Sequence, residues 1–132
     1  MSSLEIGESS TVISVSARNP WNDSGIDLAI GAKYDFVATG HWKDACKECD
    51  ADGYPSTPLL KLFERFRRVP QAPYFKLIGT IERSLHDAIV IGSSLLHFAP
   101  PRDGQLYCFA NDVRLMYSNN AGCVELRVTR TA

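Results

Sequence analysis

Tyr34-Asp35-Phe36-Val37-Ala38-Thr39-Gly40 is the stretch that decides the fold class. Tyr34, Phe36 and Ala38 alternate with Asp35, Val37 and Thr39, and a glycine closes the run. Successive side chains leave a strand on opposite sides, so this alternation marks a strand with one buried face. The pattern recurs outward in both directions. Val12 to Val15 opens a strand, and Ile26, Leu28 and Ile30 alternate with Asp27 and Ala29. Phe75 to Ile81 and Ala88 to Ile91 are short apolar runs bounded by Gly79 and Gly92, and Leu106 to Ala110 and Val124 to Val128 complete the set. Turn residues separate the runs: Asn19-Pro20, Asp23-Ser24-Gly25, Gly31, Gly40, Pro100-Pro101 and Asp103-Gly104. Short strands at such spacing predict an all-β antiparallel sandwich or barrel.

One segment breaks the period. Leu59, Leu62, Phe63 and Phe66 recur at helical spacing, with Lys61, Glu64, Arg65 and Arg68 between them. This predicts one or two turns of amphipathic helix near 59–68 lying against the sandwich, or else a fairly exposed crossing loop. Pro55, Pro58, Pro70 and Pro73 bracket it, so it reads as an insertion between strands and not as a second domain.

The 132 residues suit one domain spanning 1–132. A net charge of −1, from 14 basic and 15 acidic residues, offers no general electrostatic reason to bind nucleic acid or an anionic membrane. The one basic cluster, Arg65, Arg67 and Arg68, is expected to be a solvated face. No apolar run approaches the ~18 residues of a membrane span. Met1-Ser2-Ser3-Leu4-Glu5 lacks the charged and apolar regions of a secretory signal, so the chain is expected to be cytoplasmic at first, with a non-classical route of export to the cell surface or exterior left open.

The four cysteines fit that compartment. Cys108 is in phase with Leu106 and Ala110 and is expected to be buried and reduced; Cys123 falls on the outward phase of Val124, Leu126 and Val128. If their two strands pair, the thiols point to different faces, which argues against a mutual disulfide. Cys46-Lys47-Glu48-Cys49 is a single CxxC with no second pair of zinc ligands at a recognised spacing, so incidental thiols or a local disulfide formed after export are the expected readings.

The segment Asn111-Asp112-Val113-Arg114-Leu115-Met116-Tyr117-Ser118-Asn119-Asn120-Ala121-Gly122 lies between two expected strands. Asp112, Asn119 and Asn120 offer carboxylate and amide oxygens, and the backbone between them must leave the ladder and reverse. Oxygen ligands of this kind are what calcium prefers. For Asn119 and Asn120 to face one ion the backbone must bend between them, which asparagine's tolerance of left-handed conformations makes cheap. A plain hairpin loop closed at Gly122 accounts for the same residues.

Asp112-x-x-x-Met116-x-x-Asn119-Asn120-x-Gly122 resembles the calcium loop of the PA-I galactophilic lectin family, bacterial calcium-dependent galactose lectins. Trp21-Asn22-Asp23-Ser24-Gly25-Ile26 with Gly31, and Phe36-Val37-Ala38-Thr39-Gly40-His41-Trp42, resemble that family's first strands and the segment leading into its other ligand loop. Ile78-Gly79, Ile91-Gly92 and Gly104-Gln105-Leu106-Tyr107 fit its later strands, and the likeness is thin from Cys46 to Pro73. The resemblance implies a jelly-roll β-sandwich of the galactose-binding-domain-like type and a non-catalytic lectin. It implies Ca2+ held by the side chains of Asp112, Asn119 and Asn120, by the main-chain carbonyl of Met116, and by one near Asp44. It further implies that two hydroxyls of a galactose or galactoside complete the shell, with Asp44, Asp112, Asn119 and Asn120 also meeting the sugar, and that the molecule is a homo-oligomer. Asp52 and Tyr54 are the candidates for a polar contact and a stacking surface in the divergent loop from Asp44 to Pro58.

Trp42 could stack on a sugar, although core packing is the stronger expectation, and Trp21 is expected to plug one end of the sandwich. His86 and His97 have no nucleophile at a readable motif, and no glycine-rich phosphate loop or paired carboxylates appear, so no catalytic set is expected. The rival to a lectin is a calcium-stabilised accessory or protein-interaction domain of the same fold.

Overall fold

A computed structural model describes residues 2–132. Its strands are β1 (Ser2–Ser3), β2 (Ile13–Ser16), β3 (Asn22–Leu28), β4 (Tyr34–Thr39), β5 (Trp42–Asp44) and β6 (Lys47–Cys49). They continue as β7 (Asp52–Tyr54), β8 (Tyr74–Ile81), β9 (Ile89–Val90), β10 (Ser94–Phe98), β11 (Gly104–Ala110) and β12 (Asn120–Arg130). One sheet runs β1-β3-β11-β8-β7 with β9 beside β8; the other runs β10-β4-β12-β5-β6 with β2 beside β12. Among the described residues every strand pairing is antiparallel except β1 with β3. The expected antiparallel sandwich is the fold observed.

The alternation read in the sequence becomes the core. Phe36, Val124, Leu126 and Val128 from one sheet and Leu77, Ile81, Leu106 and Cys108 from the other have no solvent exposure. Trp42 is fully buried with its ring edge-to-face on Phe75 at 5.8 Å, so it packs the core and offers no surface to a ligand. Cys108 is buried and Cys123 exposed, as the phases predict. They lie on strands that do not pair: β11 and β12 belong to different sheets, so the segment between them crosses from one sheet to the other and is not a hairpin loop.

β8 and β11 are covered on both faces, which accounts for their near-continuous apolar sequence. Ile78 and Phe109 point away from the main core into a second cluster with Val69, Ala72 and Trp21. Trp21 packs edge-on against Phe109 (5.5 Å) and Tyr107 (6.2 Å). It therefore covers the outer face of a sheet; it does not plug an end.

The insertion differs from its expected form. Pro58–Lys61 is a single α turn (α1) capped by Thr57, and a 3-10 turn follows at Glu64–Phe66. Too short to hold helical register, the segment leaves its apolar stripe outside: Leu59, Leu62, Phe63 and Phe66 are 67%, 68%, 46% and 50% exposed. Leu60 packs against the core in their place. Arg67 and Arg68, expected in solvent, are instead buried, each over aromatic rings and bonded to main-chain carbonyls. The rings and carbonyls replace part of the water that a guanidinium loses on burial.

Candidate functional site

Register brings the first two site residues together. β4 pairs with β12 from Arg130 to Glu125, with Thr39 opposite Glu125. After the break at Gly40 and His41 the same register resumes: Trp42 faces Gly122 and Asp44 faces Asn120. Gly122 makes this possible, since its φ is +81° and a β-carbon there would sit 3.2 Å from Trp42 Cα and 3.3 Å from the His41 carbonyl oxygen. Asp44 thus reaches the start of β12 from 76 positions earlier in the chain.

Asp112 arrives from the opposite sheet, two residues beyond β11. From Arg114 to Asn119 the chain winds as a 3-10 helix, and Asn120 then starts β12 with φ −86° and ψ 151°. The bend between the adjacent asparagines is therefore a 3-10 to extended transition; neither adopts the left-handed conformation anticipated for them. Asn119 stays exposed, whereas Asn120 is 2% exposed.

Asp44, Asp112, Met116 and Asn119 line one cleft of about 560 Å³, with Asn120 buried behind it against Asp112. Asp112 accepts hydrogen bonds from the Val113 N–H (2.7 Å) and from Asn120 Nδ2 (3.1 Å). Burial pushes its carboxyl up to about 6 against those two donors, and the nearby charge of Asp44 pushes it in the same direction. Asn120 Nδ2 also donates to the Ala17 carbonyl at 3.0 Å. Two acceptors fix which end of the amide is nitrogen, and the other end, Oδ1, is buried with no donor among the described residues. Two carboxylates, one of them desolvated, and an unsatisfied amide oxygen thus meet at one place.

These donors are all hard oxygens, the set that suits calcium or a similar cation, and the orphaned Oδ1 is an acceptor that a cation would satisfy. The site has fewer acidic groups than a self-sufficient cage. Among the described residues no group of three or more His, Cys, Asp or Glu side chains is arranged to hold a metal.

Asp52 and Tyr54 lie outside the cleft lining. Asp52 is turned to Ser93, accepting from its N–H (2.8 Å) and Oγ (2.7 Å), and those bonds hold its carboxyl below the usual carboxylate range. The Tyr54 ring is buried against Tyr74, 5.9 Å away and nearly parallel, leaving no face for a ligand to stack on. Its hydroxyl donates to the Asp44 carboxylate, and burial, then this bond, push the phenol up. Tyr54 thereby orients Asp44. The segment from Asp44 to Pro58, expected as a loop, holds the short strands β6 and β7.

The rest of the cleft lining is largely apolar. Leu59, Leu60 and Phe63 come from the insertion, Leu115 and Met116 from the 3-10 segment and Val113 from just before it, with Leu115 88% exposed. Two residues of the stripe that reads as a core face in the sequence, Leu59 and Phe63, thus form part of the rim of the site.

Asn111 is a further part of the site that residue types alone did not single out. Fully buried, it donates through Nδ2 to the carbonyls of Val69, Ala72 and Pro73 and accepts from the Val69 N–H. It ties the end of β11 to the insertion immediately before Asp112. An amide beside a carboxylate at a strand end was the only signal for it.

No protein-family model matches the chain, and a search of curated proteins finds no match. Among solved structures it is similar to the EclA N-terminal domain, described as a PllA-like lectin, at 20% identity and a TM-score of 0.69 over 90% of this chain and 94% of that one. The likeness fits the galactophilic-lectin resemblance drawn from the sequence and shows the sandwich fold.

Proposed function

We propose that this chain is a calcium-dependent carbohydrate-binding domain without catalytic activity, its ligand a galactose or galactoside. The observation that carries this reading is the buried, partnerless Oδ1 of Asn120 beside the desolvated carboxylate of Asp112, at a cleft shared with Asp44 and Asn119. The fold likeness to a PllA-like lectin adds to it. Asp112, Asn119 and Asn120 would hold the ion by side chain, with Met116 and Asp44 completing the protein ligands. Calcium, when bound, supplies open coordination positions that two adjacent sugar hydroxyls can take in place of water. Asp112 and Asn119 remain able to accept hydrogen bonds from those hydroxyls, which sets the orientation of the ring. Single sites of this shallow kind bind weakly, and linked copies in a homo-oligomer would raise avidity.

The exposed apolar rim favours a second reading, in which calcium stabilises a surface for protein contact. Thermal unfolding separates the two. A rise in midpoint with calcium, a further rise with galactose, and loss of both in chelator are the outcomes expected of the lectin. Stabilisation by calcium with no response to any sugar on a glycan array would leave the interaction domain. Asp112→Ala should abolish the calcium response.

A further inference from the structure

Arg68 is a buried cation without a carboxylate. It is 9% exposed, and the ion pairs among the described residues do not include it. Its guanidinium lies 3.5 Å from the centre of the Phe109 ring and 4.4 Å from that of Trp21. Nη1 donates to the Pro20 carbonyl (2.6 Å) and the Tyr117 hydroxyl (2.9 Å), while Nε and Nη2 have no partner among the described residues. Burial pulls its basicity below the usual arginine range. A group that costs so much to bury and leaves two donors unused is poorly explained as a stabiliser of the core.

Its contacts share one destination. Tyr117 sits in the 3-10 helix between Asp112 and Asn119, and its hydroxyl passes the hydrogen bond on to the Ala110 carbonyl at the end of β11 (2.6 Å). The backbone N–H of Arg68 donates to the carbonyl of Asp112 itself (3.1 Å). Its neighbours continue the strap, since Arg67 bridges to Val113 and Val69 is held by Asn111. One residue of the insertion thus grips the candidate ligand loop at its first ligand and again at the middle of its turn.

We propose that Arg68 is the positioning residue of the cation loop, holding the Arg114–Asn119 turn so that Asp112 and Asn119 converge; the calcium part of this inference rests on the function proposed above. The aromatic faces of Trp21 and Phe109 fix the plane of the guanidinium, and Nη1 sets where Tyr117 lies. The divergent insertion then has a task at the site although the carboxylates and amides come from other segments.

The test compares wild type with Arg68→Met, which keeps an apolar stem over Phe109 and removes the donors, and with Arg68→Lys, which keeps a charge. Amide hydrogen exchange across residues 113–119 is measured in chelator, and affinity for the calcium ion alone by calorimetry. Arg68→Met should speed exchange in the turn about tenfold and weaken calcium binding about ten- to a hundredfold, as loss of groups supporting a metal's ligands does elsewhere. Its unfolding midpoint in chelator should stay near that of wild type, because an unpaired buried charge has been removed. Arg68→Lys should recover part of both losses. Exchange in the turn no faster than in wild type overturns the proposal, as does calcium affinity within twofold of wild type. If wild type takes up no calcium yet exchange accelerates, the anchoring stands and the calcium reading falls. Should Arg68→Met fail to fold, Tyr117→Phe deletes only the bridging hydroxyl and is held to the same outcomes.

Discussion

Asp112 supplies the sharpest quantitative expectation. Its carboxyl is raised by burial from 3.8 to about 6. Each pH unit between the folded and unfolded values represents about 1.4 kcal/mol, so the two units amount to up to about 3 kcal/mol. The folded chain keeps a proton that the unfolded chain releases between about pH 4 and pH 6. Stability without metal therefore falls as pH rises across that window and stays lowered above it. Asp52, held below its ordinary value, works the other way, so the contribution is isolated by difference. Urea unfolding of wild type and Asp112→Asn, followed by tryptophan fluorescence in metal-free buffer at pH 4, 5, 6 and 7, gives that difference. Wild type should lose up to about 3 kcal/mol relative to the variant between pH 4 and 7. Millimolar calcium should cancel the loss at pH 7, because a cation favours the ionised carboxylate, and should do nothing for the variant. A difference that is flat with pH, or that grows in favour of wild type, would refute the desolvated-carboxylate account of this site.

Other expectations concern single contacts. Asn120→Ala should cost about 1–3 kcal/mol in chelator, read by urea unfolding, because the Ala17 carbonyl loses its buried donor. Gly53→Ala should destabilise by about 2 kcal/mol or more, since φ is +77° and the new methyl would overlap the Tyr74 carbonyl oxygen; a neutral result would mean β7 does not lie where described. Leu59→Ser should change stability by less than about 0.5 kcal/mol, whereas Leu60→Ala should cost about 2 kcal/mol, reversing the order that the helical stripe suggests. Trp42→Ala should cost about 3–5 kcal/mol in thermal or urea unfolding by emptying the core beside Phe75.

Much of the sandwich was legible because a half-buried strand needs nothing beyond its own alternation. Tyr34–Thr39 and Asn120–Arg130 carry that signal in themselves. The strands β5, β6 and β7 do not, for each has three residues and only one buried side chain. β10 escaped for the same reason, as a strand without a fully buried residue. The insertion misled because apolar spacing reports a face without saying what the face meets. There Leu59 and Phe63 meet the cleft and Leu62 and Phe66 stay exposed, while Arg67 and Arg68 turn inward to aromatic rings contributed from elsewhere in the chain.

The sequence by itself determined that this is an antiparallel β-protein, sandwich or barrel, and it marked Asp112, Asn119 and Asn120 as a cluster of oxygen donors, because both properties are local. Only the tertiary structure decided that the loop crosses between sheets, that Asp44 lands opposite Asn120, and that Oδ1 of Asn120 is left without a donor. Those depend on strand register and on which groups lose water together, and pairings between segments far apart in the chain set both.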